Sequence, residues 1–367
     1  MVSAAKEMKA LRASPTAPQE FVAAGCQTCG LLQHCGGMRN ERALLTCIDQ
    51  FCCGDGSCDN VCPNHPKYAN RVKEIGGFGN YRIGPMQQRE VLLPWYIPLV
   101  QHGYSRQFRL HTQAVAVCPY DVLKHKNGRY ASTVKDQQSL RQKFGIANEA
   151  SLILCGTEKD KPLEKYWSYR RRDKTMDLIA ALNPDLYIAP NFSMFLDVPR
   201  PDNLFNIKRQ LVCISELSAA GVSVVPHISA TMPHDWGNWR AFLNEHIDIQ
   251  HIAFNFQTGY SRPEEGKKAL VNLIQLQQNL GRDLSLIMIG GSQFVSDATM
   301  NFARLAVIDS TPFMKSYMRR RLVLNGPGKR HWVKHPTKPG TPIDDLLQTN
   351  VESYANHIAL MAGHLFG

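Results

Sequence analysis

Short apolar runs recur along this chain, each followed by a polar or amphipathic stretch, and that alternation is what most restricts its fold. The runs are Ala114–Cys118, Ser151–Cys155, Leu186–Pro190, Val222–Pro226, Ile249–Phe256, Leu284–Ile289 and Ala306–Asp309. They are continuous rather than alternating, as strands buried on both faces must be. Between them lie helix-compatible segments at Ser132–Phe144, Leu163–Leu182, Asp235–His246, Pro263–Leu280 and Met300–Leu305. Another helix, capped by Asp202 and stopped by Gly221, repeats Leu204, Ile207, Leu211, Ile214 and Leu217 at helical spacing. Alternating strands and helices give a closed barrel or an open doubly wound sheet. Unit count and spacing favour an α/β fold of the TIM type, a (β/α)8 barrel with some irregularity, with Leu322–Leu324 as the eighth strand. A last helix, roughly Ile343–Leu365, is expected to pack across it. A chain of 367 residues is long enough for such a barrel and an appendage.

The appendage is expected at the amino end, where eight of the eleven cysteines fall: Cys26, Cys29, Cys35, Cys47, Cys52, Cys53, Cys58 and Cys62, with His34 and His65 beside them. The first twenty-odd residues carry no apolar signal core, and Leu92–Val100 is too short and holds two prolines, so a cytoplasmic chain with no membrane partner is expected. Cytosolic thiols stay reduced, which favours metal over disulfides. The organisation then reads as a polar leader (1–22), a cysteine-rich metal module (23–70), a connector (71–105), the barrel (106–330), and a basic loop with a C-terminal helix (331–367). Zinc takes paired Cys-x2-4-Cys ligands, and Cys26/Cys29 and Cys58/Cys62 read as such pairs. The irregular remainder suits an iron-sulfur cluster, 4Fe-4S being favoured and zinc the alternative.

Charge points to a polyanionic partner. The formal net charge is +11, and no acidic residue occurs from Thr311 to Ile343, where Lys315, Arg319, Arg320, Arg321, Lys329, Arg330, Lys334 and Lys338 interleave with Trp332, His331 and His335. A second run, Tyr166–Arg172, mixes aromatics with arginines. Cations for phosphates beside rings for stacking are what strand binding uses, so nucleic acid is the expected partner.

In a barrel, chemistry collects at the C-terminal strand ends. His227, at such an end, with Asp197 or Asp235, reads as an acid-base group oriented by a carboxylate, or as a histidine satisfied at the core edge. Gly290, Gly291 and Ser292 lead into a helix and read as a phosphate loop, or as a tight turn. Asn191 and Asn255 suit a base edge or sugar hydroxyl, or cap their own turns. Arg319, Arg320 and Arg321 suit phosphate contacts. Cys118 and Cys155 end adjacent strands and read as a thiol pair, a nucleophile, or small buried fillers.

Two resemblances add to this. Residues 26–37, with Cys-x2-Cys-x5-Cys-Gly-Gly spacing, resemble part of the auxiliary-cluster motif of SPASM domains in radical enzymes, although Met38 and Arg39 stand where the next cysteine belongs. Asn183–Ser193, Asp197–Pro199, Ala220–Pro226, Phe254–Gly259 and Ile287–Gly291 resemble a family of bacterial and phage proteins known only as a domain of unknown function. That second resemblance implies a compact α/β domain and no activity. At fold level the layout is also similar to the tRNA-guanine transglycosylase barrel, an analogy that assigns no residues. The expected function is a metal-containing barrel acting on nucleic acid or a nucleotide-type phosphorylated substrate. The alternative is a non-catalytic nucleic-acid-binding component of a defence or mobile-element complex with a structural metal.

Overall fold

Eight parallel strands form the core of the protein in a computed structural model, which describes residues 74–77, 83–86, 88–126, 129–195, 200–325 and 330–363. The strands are β1 (Tyr96–Val100), β2 (Ala114–Val117), β5 (Ser151–Cys155), β6 (Leu186–Ile188), β7 (Val224–Val225), β8 (His251–Asn255), β9 (Ser285–Ile289) and β10 (Arg304–Asp309). Two antiparallel hairpins are added, β3 (Leu123–Lys126) with β4 (Arg129–Ser132), and β11 (Arg320–Leu324) with β12 (Arg330–Lys334). The helices are α1 (Gln137–Phe144), α2 (Asp160–Tyr169), α3 (Thr175–Ala181), α4 (Arg200–Ala219), α5 (Pro233–Glu245), α6 (Pro263–Leu280), α7 (Val295–Thr299), α8 (Thr311–Tyr317) and α9 (Asp344–Met361). Among the described residues no helix is long and apolar enough to cross a membrane.

Hydrogen bonding follows the order β7-β6-β5-β2-β1-β10-β9-β8, the ring of a TIM-type barrel. Alternate residues point inward: Ile97, Ala114, Ala116, Ile153, Leu186, Ile188, Ile287, Ile289, Ala306 and Ile308 fill the interior with Val91 and Leu93 from the chain ahead of β1. The intervening Val115, Leu152, Leu154, Tyr187, Leu286, Met288 and Val307 are buried too. Both faces of each strand are therefore apolar, which explains the uninterrupted runs.

The chain divides into two compact units. The barrel unit comprises 83–191, 213–228 and 239–367; the described part of the other is 74–77, 192–195, 200–212 and 229–238, which includes segments that follow β6 and β7 in the chain.

The eighth strand differs from expectation. It is β1, inside the segment read as a connector, and Leu322–Leu324 instead belongs to the β11–β12 hairpin, where Leu322 pairs Trp332. Proline normally argues against a central strand because it lacks a ladder donor. Here the ladder to β10 runs over Tyr96, Ile97 and Pro98, and the ladder to β2 starts at Leu99. Pro98 thus sits where the strand changes partner.

Local signals explain other boundaries. Asp136 caps α1 by accepting from Ser139 N at 2.8 Å while Ser139 Oγ accepts from Asp136 N at 3.1 Å, so the helix starts after Ser132. The expected Leu163–Leu182 helix is two helices, because the chain turns at Lys174 with φ 49° and Asp173 accepts from Tyr130 N at 2.7 Å. The expected Met300–Leu305 helix is α7, ending at Thr299, and Arg304 already opens β10.

Closure is weakest between β7 and β8. Above, one bridge pairs His227 with Ala253, with Ile228 N donating to Ala253 O at 2.8 Å and Ala253 N to Pro226 O at 2.9 Å. Below, the Gln88 amide spans the seam: Nε2 donates to Val224 O (2.8 Å) and His251 O (3.1 Å), and Oε1 accepts from Gln250 N (2.8 Å) and His251 N (2.9 Å). Gln88→Ala is expected to lower unfolding free energy by roughly 2–4 kcal/mol, four bonds at a net value near 1 each, read from the urea midpoint. Gln88→Glu should be similarly damaging, since a carboxylate has no donor for the two carbonyls. A wild-type midpoint in both variants would show that the seam does not need this side chain.

Candidate functional site

The C-terminal ends of the strands carry most of the chain's unusual chemistry. With β1 counted first, Gly290–Ser292 follows the seventh barrel strand and Asp309–Ser310 the eighth, the position where barrels often hold phosphate.

On one side of the mouth, β2 and β5 present thiols and carboxyls. Cys118, buried, donates to Glu158 Oε2 at 3.5 Å. Burial, then the charges of Asp121 and Glu158, pushes the Cys118 thiol well up, and burial pushes Cys155 up to about 11. Both are neutral thiols at physiological pH, and among the described residues both are free of disulfides. Burial also raises the Asp121 carboxyl to about 6, helped by Glu158 and opposed by Lys124. A carboxyl in that range can give or take a proton near neutral pH. Asn191 Oδ1 accepts from Glu158 N at 3.0 Å, so this side chain ties two loops together.

His227 is buried at the β7–β8 bridge with its ring parallel to Phe254 (6.4 Å between centroids, 9°). Burial lowers its pKa to about 4, so the imidazole is neutral at pH 7. Asp235 lies in the other unit, in the first turn of α5, and ties down the chain entering the helix, its Oδ2 accepting from Thr231 N (3.0 Å), Thr231 Oγ1 (3.2 Å) and Met232 N (3.1 Å). Asp197 lies outside the described residues. Asn255 Oδ1 accepts from Gln257 N at 2.9 Å and closes its own turn.

On the other side, Gly290 and Gly291 both hold φ 70°. A Cβ on Gly291 would lie 2.5 Å from Phe256 Cβ, and one on Gly290 would lie 2.9 Å from Gln257 Cγ. Gly290 N donates to Ile308 O at 2.8 Å. The pair is thus needed for the turn itself. Ser292 differs: its Oγ accepts from Arg330 Nη2 at 3.1 Å. Arg330 opens β12, and its guanidinium lies 4.8 Å from the Tyr354 ring centre. Tyr354 in α9 donates to Asp309 Oδ2 at 2.8 Å, Thr311 N donates to Asp309 Oδ1 at 2.8 Å, and Tyr96 donates to Asp309 O at 2.9 Å. Arg330, Ser292, Tyr354 and Asp309 form one polar chain beside the seventh and eighth strand ends.

The three consecutive arginines have different employment. Arg319, at φ 54°, donates to Pro342 O (3.1 Å) and Thr341 O, a structural clamp. Arg320 gives its carbonyl to Asn350 Nδ2 at 2.8 Å. Arg321 is exposed.

The eight candidate metal cysteines lie outside the described residues, and among the described residues no group of three or more His, Cys, Asp or Glu is arranged to hold a metal ion. Arg330 was visible in sequence only as one cation of a run; its partner Ser292, and Glu158 as the partner of Cys118, lie 38 and 40 residues away, beyond any local pattern. No model of a known protein family matches this sequence, and no curated protein matches it, so the functional reading rests on the chain's own residues.

Two buried histidines set a pH dependence. His251, at the start of β8, has no hydrogen-bond partner on either ring nitrogen among the described residues, and burial, then Arg304, lowers it to about 4. His227 and His251 move from 6.5 in the unfolded chain to about 4 in the folded one, so between those values the unfolded chain binds more protons. Stability is therefore complete above about pH 6.5 and declines towards about pH 4, by on the order of 3 kcal/mol for each ring. Urea midpoints across that window should show the decline in the wild type and a flatter profile in His227→Gln/His251→Gln. Equal slopes would assign the acid sensitivity to other groups.

Proposed function

We propose that this barrel is an enzyme acting at its mouth on a nucleotide-type phosphorylated substrate, free or within nucleic acid, with the N-terminal cysteines holding an iron-sulfur cluster or, in its place, zinc. The observation that carries the reading is the Arg330–Ser292 bond: a cation from the acid-free segment reaches the loop after the seventh strand. A guanidinium beside a serine hydroxyl is a two-point grip for a phosphate. Across the mouth, Asp121, titrating near 6, is the group suited to proton transfer, with Cys118 and Glu158 beside it. His227, neutral and buried, suits a hydrogen-bonding role rather than that of a cationic acid. An iron-sulfur cluster at the cysteines would supply electron transfer, and zinc would supply structure or Lewis acidity.

Arg330→Gln is expected to weaken binding of nucleoside monophosphates roughly tenfold or more, the value of a charge-assisted bond, while leaving nucleosides unchanged in the same calorimetric titration. Equal losses for both ligands, or none, would remove phosphate from this loop. Asp121→Asn should then abolish turnover while nucleotide affinity persists.

The engagement of Asp235 and Asn255 in their own turns, and of Asn191 in tying two loops together, favours the second reading, a non-catalytic binder with a structural metal. In that case Asp121→Asn leaves every measurable property of the complex unchanged.

Metal analysis with a visible spectrum of anaerobically purified protein tests the cysteine module. Iron with a charge-transfer band, lost on Cys58→Ser/Cys62→Ser, is the expected result. Stoichiometric zinc in colourless protein selects the alternative, and neither metal ends the metal reading.

A further inference from the structure

Aromatic rings cluster just after β1. The His102 ring centre lies 5.0 Å from that of Tyr104, tilted by 36°, and 4.8 Å and 4.9 Å from those of Tyr317 and Phe313 in α8, which meet it edge-on at 74° and 73°. Tyr104 is 73% exposed and Tyr317 46% exposed, so these outer rings give only part of their surface to the protein's own packing. The loop that displays Tyr104 is firmly held. Ser105 O accepts from Ile343 N at 2.8 Å, Arg106 pairs with the buried Asp344 at 3.2 Å, and Gln107 N donates to the same carboxylate at 2.8 Å.

The platform joins the basic hairpin. Arg319 donates to the carbonyls of Thr341 and Pro342, next to the Ile343 that holds Ser105, and His335 N donates to Arg319 O at 2.8 Å. Tyr317 is followed directly by this clamp. Beyond it Arg321, Lys334 and Lys338 are exposed in a segment with no carboxylate, and the first acid after it, Asp344, is already paired with Arg106. Exposed aromatic rings next to unopposed cations suit unstacked bases with their phosphates; a duplex hides its base faces.

We infer that Tyr104, His102 and Tyr317 form a stacking site which, with the exposed cations Arg321 and Lys338, binds single-stranded nucleic acid and leads it across the rim of the barrel. This inference rests on the nucleotide reading of the mouth and deepens it, because it makes the substrate a polymer rather than a free nucleotide.

Fluorescence anisotropy of the full chain with labelled single-stranded DNA and RNA about 20 nucleotides long, over a series of salt concentrations, tests it. Tyr104→Ala/Tyr317→Ala should weaken single-strand binding by about tenfold or more, with Tyr104→Phe/Tyr317→Phe close to wild type, since stacking needs the ring and not the hydroxyl. Arg321→Gln/Lys338→Gln should reduce the slope of log K against log salt by about 1.4, near 0.7 for each lost phosphate contact on a single strand. Nucleoside monophosphate affinity should be untouched in all of these variants. Duplex DNA or polyglutamate binding as tightly as the single strand would overturn the inference, as would unaltered binding in the alanine variant. Wild-type protein that binds no oligonucleotide yet keeps an Arg330-dependent nucleotide site would overturn the platform alone. Platform-dependent oligonucleotide binding without any effect of Arg330→Gln would support the platform and overturn the phosphate reading of the mouth.

Discussion

Everything at the mouth depends on a ring of parallel strands closing where it has least to close with. β7 is two residues long, and its junction with β8 is one bridge and one side chain. A strand that short cannot satisfy its neighbour's backbone over the height of the barrel, and unpaired backbone groups in a dry interior cost free energy. Gln88 supplies two donors and an acceptor in place of a missing residue pair, because a primary amide presents the same groups as a peptide. The same peptide that seals the barrel floor thereby completes its wall. Arg89 extends the effect by donating its backbone N–H to Ser223 Oγ at 2.8 Å and its side chain to Asn183 Oδ1 at 2.6 Å. The bridge above this seal is also what fixes His227.

Burial, more than pairing, sets the charge states around the rim. Cys118 and Cys155 keep their protons, His227 loses its own, and Asp121 is drawn towards neutrality. A low-dielectric mouth disfavours every charged form, so one cause moves acids up and bases down together. A site of this kind is poised to meet charge brought by a ligand, since an arriving cation or anion is poorly screened there. The two sides of the rim are then unlike: carboxyls and thiols after β2 and β5, and the guanidinium of Arg330 against the loop after β9.

Much of the barrel was legible because parallel strands covered on both sides need continuous apolar runs, and seven of these stand out against amphipathic helices. β1 escaped because Pro94 and Pro98 make it read as irregular chain; the change of partner at Pro98 that permits the proline is a property of the assembled sheet. Leu322–Leu324 took its place in the reading because three residues carry no information about which sheet they join. Strand ends named most of the rim, yet roles could not be told from type. Asp235, Asn191 and Asn255 are polar groups where turns need acceptors, and the structure uses them so. Pairs such as Arg330 with Ser292 depend on tertiary packing between segments with no shared pattern.

The run of cations after Thr311 shows how little a count of charge decides. Arg319 is consumed by two carbonyls, and its positive φ shows the backbone bending to bring it there. Arg320 sits over α9, where Asn350 bonds the strand on which it lies, with Nδ2 to Arg320 O at 2.8 Å and Oδ1 from Leu322 N at 2.8 Å. Arg330 is turned to the mouth. What remains for a partner is Arg321 and Lys334, on opposite faces of the hairpin, and Lys338 in the segment after it, fewer cations than composition promises but in a stretch of chain with no acid. Long-range attraction from the net charge of +11 brings a polyanion near without choosing one. Selection has to come from groups that read something other than charge, and on this rim those groups are the exposed tyrosine rings.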